Sequence, residues 1–402
     1  MNLNVTVGDS GFKDVKQLVK HVLDKSNAIK AAPEKDVSAV FPINELSKSL
    51  HPDYQIMKVI EIIDHKGADA KTFVLKGSKA AYFRAGQYIS VLMKIGKSIT
   101  TRPYSISSSP SLSKDGIYTI TVRRTPEEFA ADYMLNDVKV GDELKISEPL
   151  GNFYYEELRD AKNVVALAGG SGITPFYSMA AAIRDGIEDF NLTIIFGSRN
   201  EDAILFKKEL DEIAAACDKV KVVHVLSDEE KEGFEHGFIN ADIIKKYAPA
   251  NEDYSIFMCG PEAMYRFADG EIKKLNINSK FVRRELLGVT KQVEKKADFP
   301  KDAKGKTFNV TVRIGDYEKT IPAKSNEPVL TAIERAGIAA PSRCRSGECG
   351  WCRSKLLSGE VYVPAENDED RRYYDKEYNC IHPCASFPVS DLVIEVPETY
   401  IK

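Results

Sequence analysis

The sequence has no surplus of either charge, few histidines and no cysteine pattern typical of secreted proteins. Its formal net charge of −4 lacks the basic footprint of a nucleic-acid-binding protein, so we expect no nucleic-acid partner. Seven cysteines are an odd number, which argues against a disulfide framework and favours a reducing compartment. The first residues, MNLNVTVGDSGFK, lack the basic start and apolar core of a secretory signal. We therefore expect a cytoplasmic protein.

The sequence also lacks an uninterrupted hydrophobic run long enough to cross a bilayer. The most apolar long window, residues 164–183, is broken by Gly169, Gly170, Gly172 and Pro175. This window is typical of a buried strand, a turn and a helix, so we expect no membrane partner. The chain has 402 residues, 43% of them hydrophobic, which predicts a soluble protein of several domains.

Changes in composition and periodicity divide the chain into five segments. The prediction is an N-terminal extension, a strand-rich barrel, an alternating α/β domain, a linker and a C-terminal α+β domain. Their predicted bounds are 1–52, 53–158, 159–287, 288–306 and 307–402. In the extension, apolar residues recur at helical spacing between Phe12 and Leu23, with lysines on the other face. We expect this amphipathic helix to pack on its own protein.

The second segment is rich in short strands separated by glycine and proline turns, which predicts a small antiparallel β-barrel. The predicted strands are 55–63, 72–75, 88–93, 117–122 and 143–146. The third segment alternates strands and helices regularly, which predicts a doubly wound α/β domain with a parallel sheet. Its predicted strands are 163–168, 192–197, 221–226, 255–258 and 280–283, and its predicted helices are 176–184, 203–215, 240–247 and 262–275.

The fourth segment is polar, lysine-rich and without periodicity, which predicts a flexible linker. Fully extended, it would reach roughly 60–70 Å. The last segment begins with an alternating strand from Phe308, followed by a helix at 329–336 capped by Ser325 or Asn326 with Glu327 in its first turn. Strands at 359–363 and 391–396 complete a small α+β domain.

Three cysteines in the last segment have the spacing of iron–sulfur ligands. Cys344, Cys349 and Cys352 form a C-x4-C-x2-C pattern, and Cys384 and Cys380 are candidates for a fourth ligand. Thiolates at this spacing are typical of a plant-type [2Fe–2S] cluster. The alternative is zinc, but a four-cysteine zinc site usually contains two C-x2-C pairs. The pattern therefore favours the iron–sulfur cluster.

The surroundings of Cys384 resemble the C-terminal part of plant-type ferredoxin modules, which have a β-grasp fold. In that family the last ligand precedes a Ser-x-Pro-type segment and a strand, as Cys384 precedes Ser386-Phe387-Pro388. The resemblance selects Cys384 as the fourth ligand and leaves Cys380 as a structural thiol.

The barrel segment contains Arg102-Pro103-Tyr104-Ser105, which resembles the R-x-Y-S flavin motif of the ferredoxin–NADP reductase superfamily. The resemblance implies that Arg102 pairs with a flavin phosphate, that Tyr104 lies against the isoalloxazine, and that Ser105 donates a hydrogen bond near N5. The family's glycine-rich pyrophosphate turn is replaced here by residues 126–131, which include two glutamates. FAD is the expected flavin, and FMN remains the alternative.

The turn Gly169-Gly170-Ser171-Gly172-Ile173-Thr174-Pro175 follows a strand and opens a helix, an arrangement that suits a pyrophosphate. It resembles the G-G-x-G-x-T-P nicotinamide turn of the same superfamily. The resemblance places Ser198 and Arg199 at the adenosine ribose. Asp228 would repel a 2′-phosphate, which favours NADH, although Arg199 leaves NADPH open.

Cys259-Gly260-Pro261 resembles the C-G-P turn of the superfamily, in which the cysteine packs near the nicotinamide C4. The alternative is an ordinary buried thiol. Glu285 aligns with a glutamate in related reductases that relays a proton or positions the flavin. Cys259, Ser105 and Glu285 are thus the predicted catalytic residues.

The order of barrel, nicotinamide domain and C-terminal ferredoxin resembles phthalate dioxygenase reductase, hybrid-cluster-protein reductase and other oxygenase reductases. It implies electron transfer from NADH through the flavin and cluster to a separate redox protein, such as an oxygenase. An anaerobic metalloenzyme, with membrane association through the N-terminal helix, is the alternative acceptor system. A third hypothesis is a redox sensor without enzyme activity. Such a sensor predicts a damaged nicotinamide site, whereas both nicotinamide turns are intact in this sequence. Arg343, Arg345, Arg353 and Lys355 around the cluster loop predict an acidic docking patch on the acceptor.

Overall fold

The computed structural model describes residues 11–31, 41–50, 52, 54–124, 129–368 and 373–398. The chain divides into two compact units, Met1–Lys48 and Ser49–Lys402. The first unit contains helix α1 (Gly11–Ala31) and the start of α2 (Pro42–Leu50). Val15, Leu18 and Val22 on α1 are all more than half exposed. The predicted helix is therefore confirmed, and its packing on the rest of the protein stays a prediction.

The second unit begins with an antiparallel sheet of six strands, in the order β4-β3-β6-β1-β2-β5. Its strands are β1 (Tyr54–His65), β2 (Ala70–Lys76), β3 (Tyr88–Ile95), β4 (Ser98–Ser105), β5 (Ile117–Arg123) and β6 (Glu143–Ser147), with α3 (Phe129–Asn136) between the last two. A bridge from Ile106 to Ile120 brings the end of β4 against β5. The predicted antiparallel barrel is confirmed. Prediction missed β4, because Pro103 and several polar residues hide its alternation.

The nicotinamide-type domain is a parallel sheet with helices on both faces, and its strand order is β10-β9-β8-β7-β11-β12. The strands are β7 (Asn163–Gly169), β8 (Asn191–Ser198), β9 (Val220–Leu226), β10 (Glu235–His236), β11 (Tyr254–Cys259) and β12 (Val282–Arg284). The helices are α4 (Thr174–Arg184), α5 (Lys207–Ala216), α6 (Ala241–Tyr247) and α7 (Glu262–Lys273). The doubly wound fold is confirmed. Helix α5 begins later than predicted, because Phe206 adopts a left-handed backbone conformation with φ 56°.

The C-terminal domain is a mixed sheet of five strands, β14-β13-β19-β15-β17, with a two-stranded sheet of β16 and β18. Its elements are β13 (Thr307–Ile314), β14 (Tyr317–Lys324), α8 (Val329–Arg335), β15 (Ser354–Ser358), β16 (Val361–Tyr362), α9 (Ala365–Asp368), α10 (Tyr373–Glu377), β17 (Cys380–Ile381), β18 (Phe387–Pro388) and β19 (Leu392–Glu395). The α+β architecture is confirmed. The predicted cap of α8 is wrong: Pro328 is the N-cap, and the Ser325 hydroxyl donates to Glu294.

The polar segment 288–306 does not form the flexible linker that its composition predicts. Val293, Phe299 and Ala303 are buried in one cluster with Tyr362 and Phe387 of the C-terminal domain. Their irregular spacing follows turns and one short 3-10 helix, Val293–Lys295, so no periodicity marks them in the sequence. From residue 293 onward this segment belongs to the packed domain.

The C-terminal domain contacts the barrel directly, which further restricts movement. The Thr101 and Ser342 hydroxyls lie 2.6 Å apart, and Arg343 forms an ion pair of 2.9 Å with Glu148 of the barrel. The cluster loop is therefore held against the flavin-type barrel. Among the described residues, we find no helix that is both long and apolar enough to cross a membrane.

Candidate redox-cofactor site

The four predicted cluster cysteines converge at one end of the C-terminal domain. Cys352 Sγ lies 3.3 Å from Cys384 Sγ, and the Cys344 thiol contacts Cys349 and also approaches Cys384. The backbone amides of Cys349 and Trp351 donate to the sulfurs of Cys344 and Cys349, over 3.4 and 3.5 Å. Four thiols with amide donors aimed at sulfur fit a [2Fe–2S] cluster, whose sulfurs accept such bonds.

Cys380, the competing ligand, lies on β17, and its thiol contacts the carbonyl of Tyr378 at 3.7 Å. Hydrogen bonds from the neighbouring Cys349 and Cys384 thiols hold the pKa of Cys344 well below its ordinary value, and the same contacts raise the pKa of Cys349 and Cys384. The thiols are therefore close enough to share protons.

Contacts from three directions hold the cluster loop in place. Arg345 adopts φ 63° and forms a bidentate ion pair of 2.6 and 2.9 Å with Glu334 on α8, and both side chains are buried. The Asn367 amide donates to the Ser346 carbonyl over 2.7 Å. His382 Nδ1 donates to the Gly347 carbonyl over 2.5 Å. Asn367 and His382 have no signature in the sequence that links them to the cysteines.

In the structure, carboxylates pair with three of the arginines that were predicted to make the cluster loop positive. Arg345 pairs with Glu334, Arg343 with Glu148, and Arg353 with Asp375 over 2.6 Å. Ion pairing neutralises these three arginines, so the rim is much less positive than composition predicts. Sequence reasoning missed this because the partner carboxylates lie far away along the chain.

The flavin motif occupies strand β4 and lies beside β3. Ser105 is buried and pairs with Tyr88, and Tyr104 packs against the barrel core. The Arg102 guanidinium donates to the Thr100 hydroxyl over 2.6 Å and lies over the Phe129 ring at the start of α3. These placements fit a flavin phosphate near Arg102 and the start of α3. Residues 126–128, with the two glutamates, lie outside the described residues.

The two nicotinamide turns interlock at the carboxyl edge of the parallel sheet. A Cβ atom at Gly172 would collide with the Cys259 carbonyl, and one at Gly169 would collide with Met264 and Pro261. Gly170 has φ 53°, and Thr174 and Pro175 start α4, with the Thr174 hydroxyl donating to the Ser171 carbonyl over 3.0 Å. The glycines thus bring the Gly-rich turn against Cys259-Gly260-Pro261.

The predicted ribose residues lie at the ends of neighbouring strands. Ser198 ends β8, and the Asp228 amide after β9 donates to the Arg199 carbonyl over 2.9 Å. Within the described part of the chain, Ser198 Oγ is buried without a hydrogen-bond partner. Arg199 lies close enough to Arg123 of the barrel to lower the pKa of that guanidinium, after the larger effect of burial. An unpartnered hydroxyl next to Arg199 in the chain fits a polar anionic ligand such as a dinucleotide.

Cys259 and Glu285 are both buried, and both hold their protons tightly. Burial raises the pKa of the Cys259 thiol, with a further contribution from Glu285, so this thiol is a packing group and not a ready nucleophile. Burial also raises the pKa of Glu285 well above its ordinary value, helped by Glu348 and Cys344. A buried, protonated carboxyl can donate or pass a proton.

Tyr265 links these groups, and sequence reasoning missed it. Its hydroxyl donates to the Glu285 carbonyl over 2.5 Å and accepts from the Gly260 amide over 3.2 Å. Its position four residues after Pro261, on the inner face of α7, is the signal that could have identified it. Two hydrogen bonds bring the cluster loop near both sites. The Ser90 hydroxyl on β3, beside the flavin motif, donates to the Arg343 carbonyl over 3.5 Å, and the Gly288 amide, three residues after Glu285, donates to the Cys344 carbonyl over 3.0 Å.

Comparisons with known proteins agree with this geometry. Three domain families match in the predicted order: an oxidoreductase FAD-binding domain at residues 58–155, an oxidoreductase NAD-binding domain at 166–270, and a 2Fe-2S iron-sulfur cluster binding domain at 312–389. The chain therefore belongs to the ferredoxin–NADP reductase family, with a C-terminal [2Fe–2S] domain. FAD, NADH and a [2Fe–2S] cluster are its cofactors, as predicted.

Two relatives and one solved structure span most of the chain. The glycine betaine monooxygenase reductase subunit of Chromohalobacter salexigens is 27% identical over 81% of this chain and 91% of its own length. NADH oxidoreductase HCR of Escherichia coli K12 is 26% identical over 78% of this chain and 88% of its own. Phthalate dioxygenase reductase, 23% identical, has the same fold with a TM-score of 0.61 over 86% of this chain and 98% of its own.

Proposed function

We propose that this protein takes electrons from NADH and delivers them one at a time to a separate oxygenase component in the cytoplasm. The observation that carries the proposal is the contact between cluster loop and barrel within one compact unit, through Thr101–Ser342 and Arg343–Glu148. The name of the Chromohalobacter relative supports an oxygenase as the acceptor. When bound, NADH supplies a hydride, FAD divides its two electrons, and the cluster carries them singly.

The residues of the chain bind and orient these groups. In this proposal Gly169, Gly170 and Gly172 let the backbone amides of the turn and the start of α4 face the dinucleotide phosphates. Ser198 and Arg199 bind the adenosine ribose, and Asp228 disfavours a 2′-phosphate. Arg102, Tyr104 and Ser105 hold the flavin.

Proton handling is assigned to Glu285. This carboxyl is buried, its pKa is raised by burial and by the nearby Glu348 and Cys344, and Tyr265 holds its backbone carbonyl. Cys259 excludes water and fills the space beside the reacting ring without acting as a nucleophile. Cys344, Cys349, Cys352 and Cys384 are the four iron ligands in the proposal.

Replacing one proposed ligand tests the order of electron flow. Cys349→Ser is expected to lose at least nine-tenths of the NADH-dependent reduction of cytochrome c, used as a one-electron probe. Reduction of ferricyanide directly at the flavin should stay within twofold of wild type. Cys217→Ser, a partly exposed thiol after α5, is the control and should keep both activities. If Cys349→Ser lost both activities while retaining flavin, the serial order would be wrong.

A further inference from the structure

An exposed aromatic surface lies beside the cluster loop. Tyr373, Tyr374 and Tyr378, here called the tyrosine patch, are 73%, 63% and 59% exposed. Tyr374 stacks on Tyr378 with an interplanar angle of 14°, and Tyr373 meets Tyr374 edge to face. Tyrosine is enriched at protein interfaces because it offers a large contact area at low entropic cost. Three clustered rings left in water call for a functional explanation.

The tyrosine patch is connected to the cysteine loop through the side chains of Asp375 and His382. Its helix, α10, carries the buried Asp375, which pairs with Arg353 directly after the predicted ligand Cys352. Asp375 also lies 3.4 Å from His382 Nε2, and His382 Nδ1 donates to the Gly347 carbonyl inside the loop. A protein seated on the patch would therefore lie next to the loop from which, in the proposed function, electrons leave.

Two cations at the described part of the patch are paired with carboxylates. Arg353 is paired with Asp375, and Lys376 on the same helix is paired with Asp368 over 2.7 Å. The proposal therefore rests on the three exposed rings and not on these two cations. The complementary face should present apolar or aromatic side chains and backbone groups, which pack on tyrosine rings in any salt concentration.

The size of the patch favours a transient partner over a stable dimer of this chain. Three aromatic side chains that are about two-thirds exposed offer roughly 300–500 Å² of contact area. Stable complexes bury about 800 Å² on each partner, whereas brief electron-transfer encounters use smaller interfaces. An acceptor must bind, take one electron and leave, and the small contact area of the patch fits such a brief encounter.

We infer that the tyrosine patch is the docking surface for the electron-accepting protein, which binds it through an apolar face. The inference rests on the proposed function and extends it to the site of delivery. The patch acts by positioning the acceptor, so its loss weakens binding of the acceptor and leaves the internal reactions of the protein unchanged.

Photo-cross-linking tests the position of the surface. The full-length holoprotein carrying Tyr374→p-benzoylphenylalanine is irradiated with NADH in an extract of the source cells. Tyr317→p-benzoylphenylalanine, on the β13–β14 hairpin of the same domain and 48% exposed, is the control. We expect an adduct at residue 374 only, containing a redox protein that the wild-type protein reduces with NADH. An adduct with a second copy of this chain, equal adducts at both positions, or none, would overturn the inference.

Kinetics with the captured acceptor test the role of the surface. The Tyr374→Ala/Tyr378→Ala double variant should need at least tenfold more acceptor for half-maximal rate, at unchanged maximal rate. That factor should be the same at low and high salt, and ferricyanide reduction and NADH bleaching of the cluster absorbance should be unaffected. Wild-type behaviour of the variant would overturn the inference. Failure of the proposed function would be visible separately, as a wild-type protein whose cluster absorbance NADH does not bleach.

Discussion

At the scale of single residues, Gly172 determines whether the two nicotinamide turns can approach each other. Gly172→Ala places a methyl group against the Cys259 carbonyl, which is backbone and cannot rotate away. We expect a lower melting temperature and at least a tenfold rise in the NADH concentration for half-maximal flavin reduction. Gly270→Ala, on α7 with open space around the new methyl, is the matched control and should be neutral or stabilising. Equal behaviour of the two variants would contradict the packing role.

Glu285 gives a prediction about pH at the same scale. Its pKa is raised in the folded protein, so the unfolded chain loses this proton near its ordinary pKa of 4.5 while the folded protein keeps it. Raising the pH from the unfolded pKa of 4.5 towards the higher pKa of the folded protein therefore favours the unfolded chain and lowers stability. Glu285→Gln, which mimics the protonated group, should flatten the fall in melting temperature between pH 5 and 8 and slow flavin-dependent turnover. An unchanged pH profile would show that the carboxyl is ionised when folded.

At the scale of elements, helix α8 holds the cluster loop through one buried ion pair. Glu334→Ala leaves Arg345 buried without its carboxylate, which typically costs about 3–5 kcal/mol. We expect loss of most cluster absorbance and a clear drop in melting temperature. Glu327→Ala, which breaks the partly exposed pair with Arg335 of α8, should cost clearly less, about 1 kcal/mol. Retention of a normal cluster in Glu334→Ala would mean that the cysteines hold the loop alone.

Elements also show where sequence patterns stop being informative. Strands with alternating or continuous apolar residues, such as β1 and β7, were predictable because burial repeats along them. The packing of the segment after Gly288 could not be predicted, because its buried residues follow irregular turns that pack on Tyr362 and Phe387. The α8 cap was mispredicted because Ser325 bonds to Glu294, a residue whose proximity depends on that same irregular segment.

At the scale of the whole molecule, the C-terminal domain packs on the barrel instead of hanging on the predicted flexible linker. Glu148→Ala removes the ion pair that joins the barrel to the cluster loop. We expect NADH-driven bleaching of the cluster, followed by stopped flow, to slow severalfold while ferricyanide reduction stays normal. Glu318→Ala, which breaks a pair with Arg313 within the β13–β14 hairpin, should change neither rate. If Glu148→Ala left cluster reduction unchanged, this contact would not set the distance between the cofactor sites.

The sequence by itself determined the cofactor chemistry and the order of the domains. Cysteine spacing, the R-P-Y-S motif and the Gly-rich turn are local patterns, because each cofactor is held mainly by one short loop that presents several groups at once. Only the tertiary structure decided how these loops meet: Glu285 beside the cluster loop, arginines neutralised by distant carboxylates, and a tyrosine patch beside the cysteines. These features depend on contacts between residues far apart along the chain, and such contacts leave no periodicity or spacing in a single sequence.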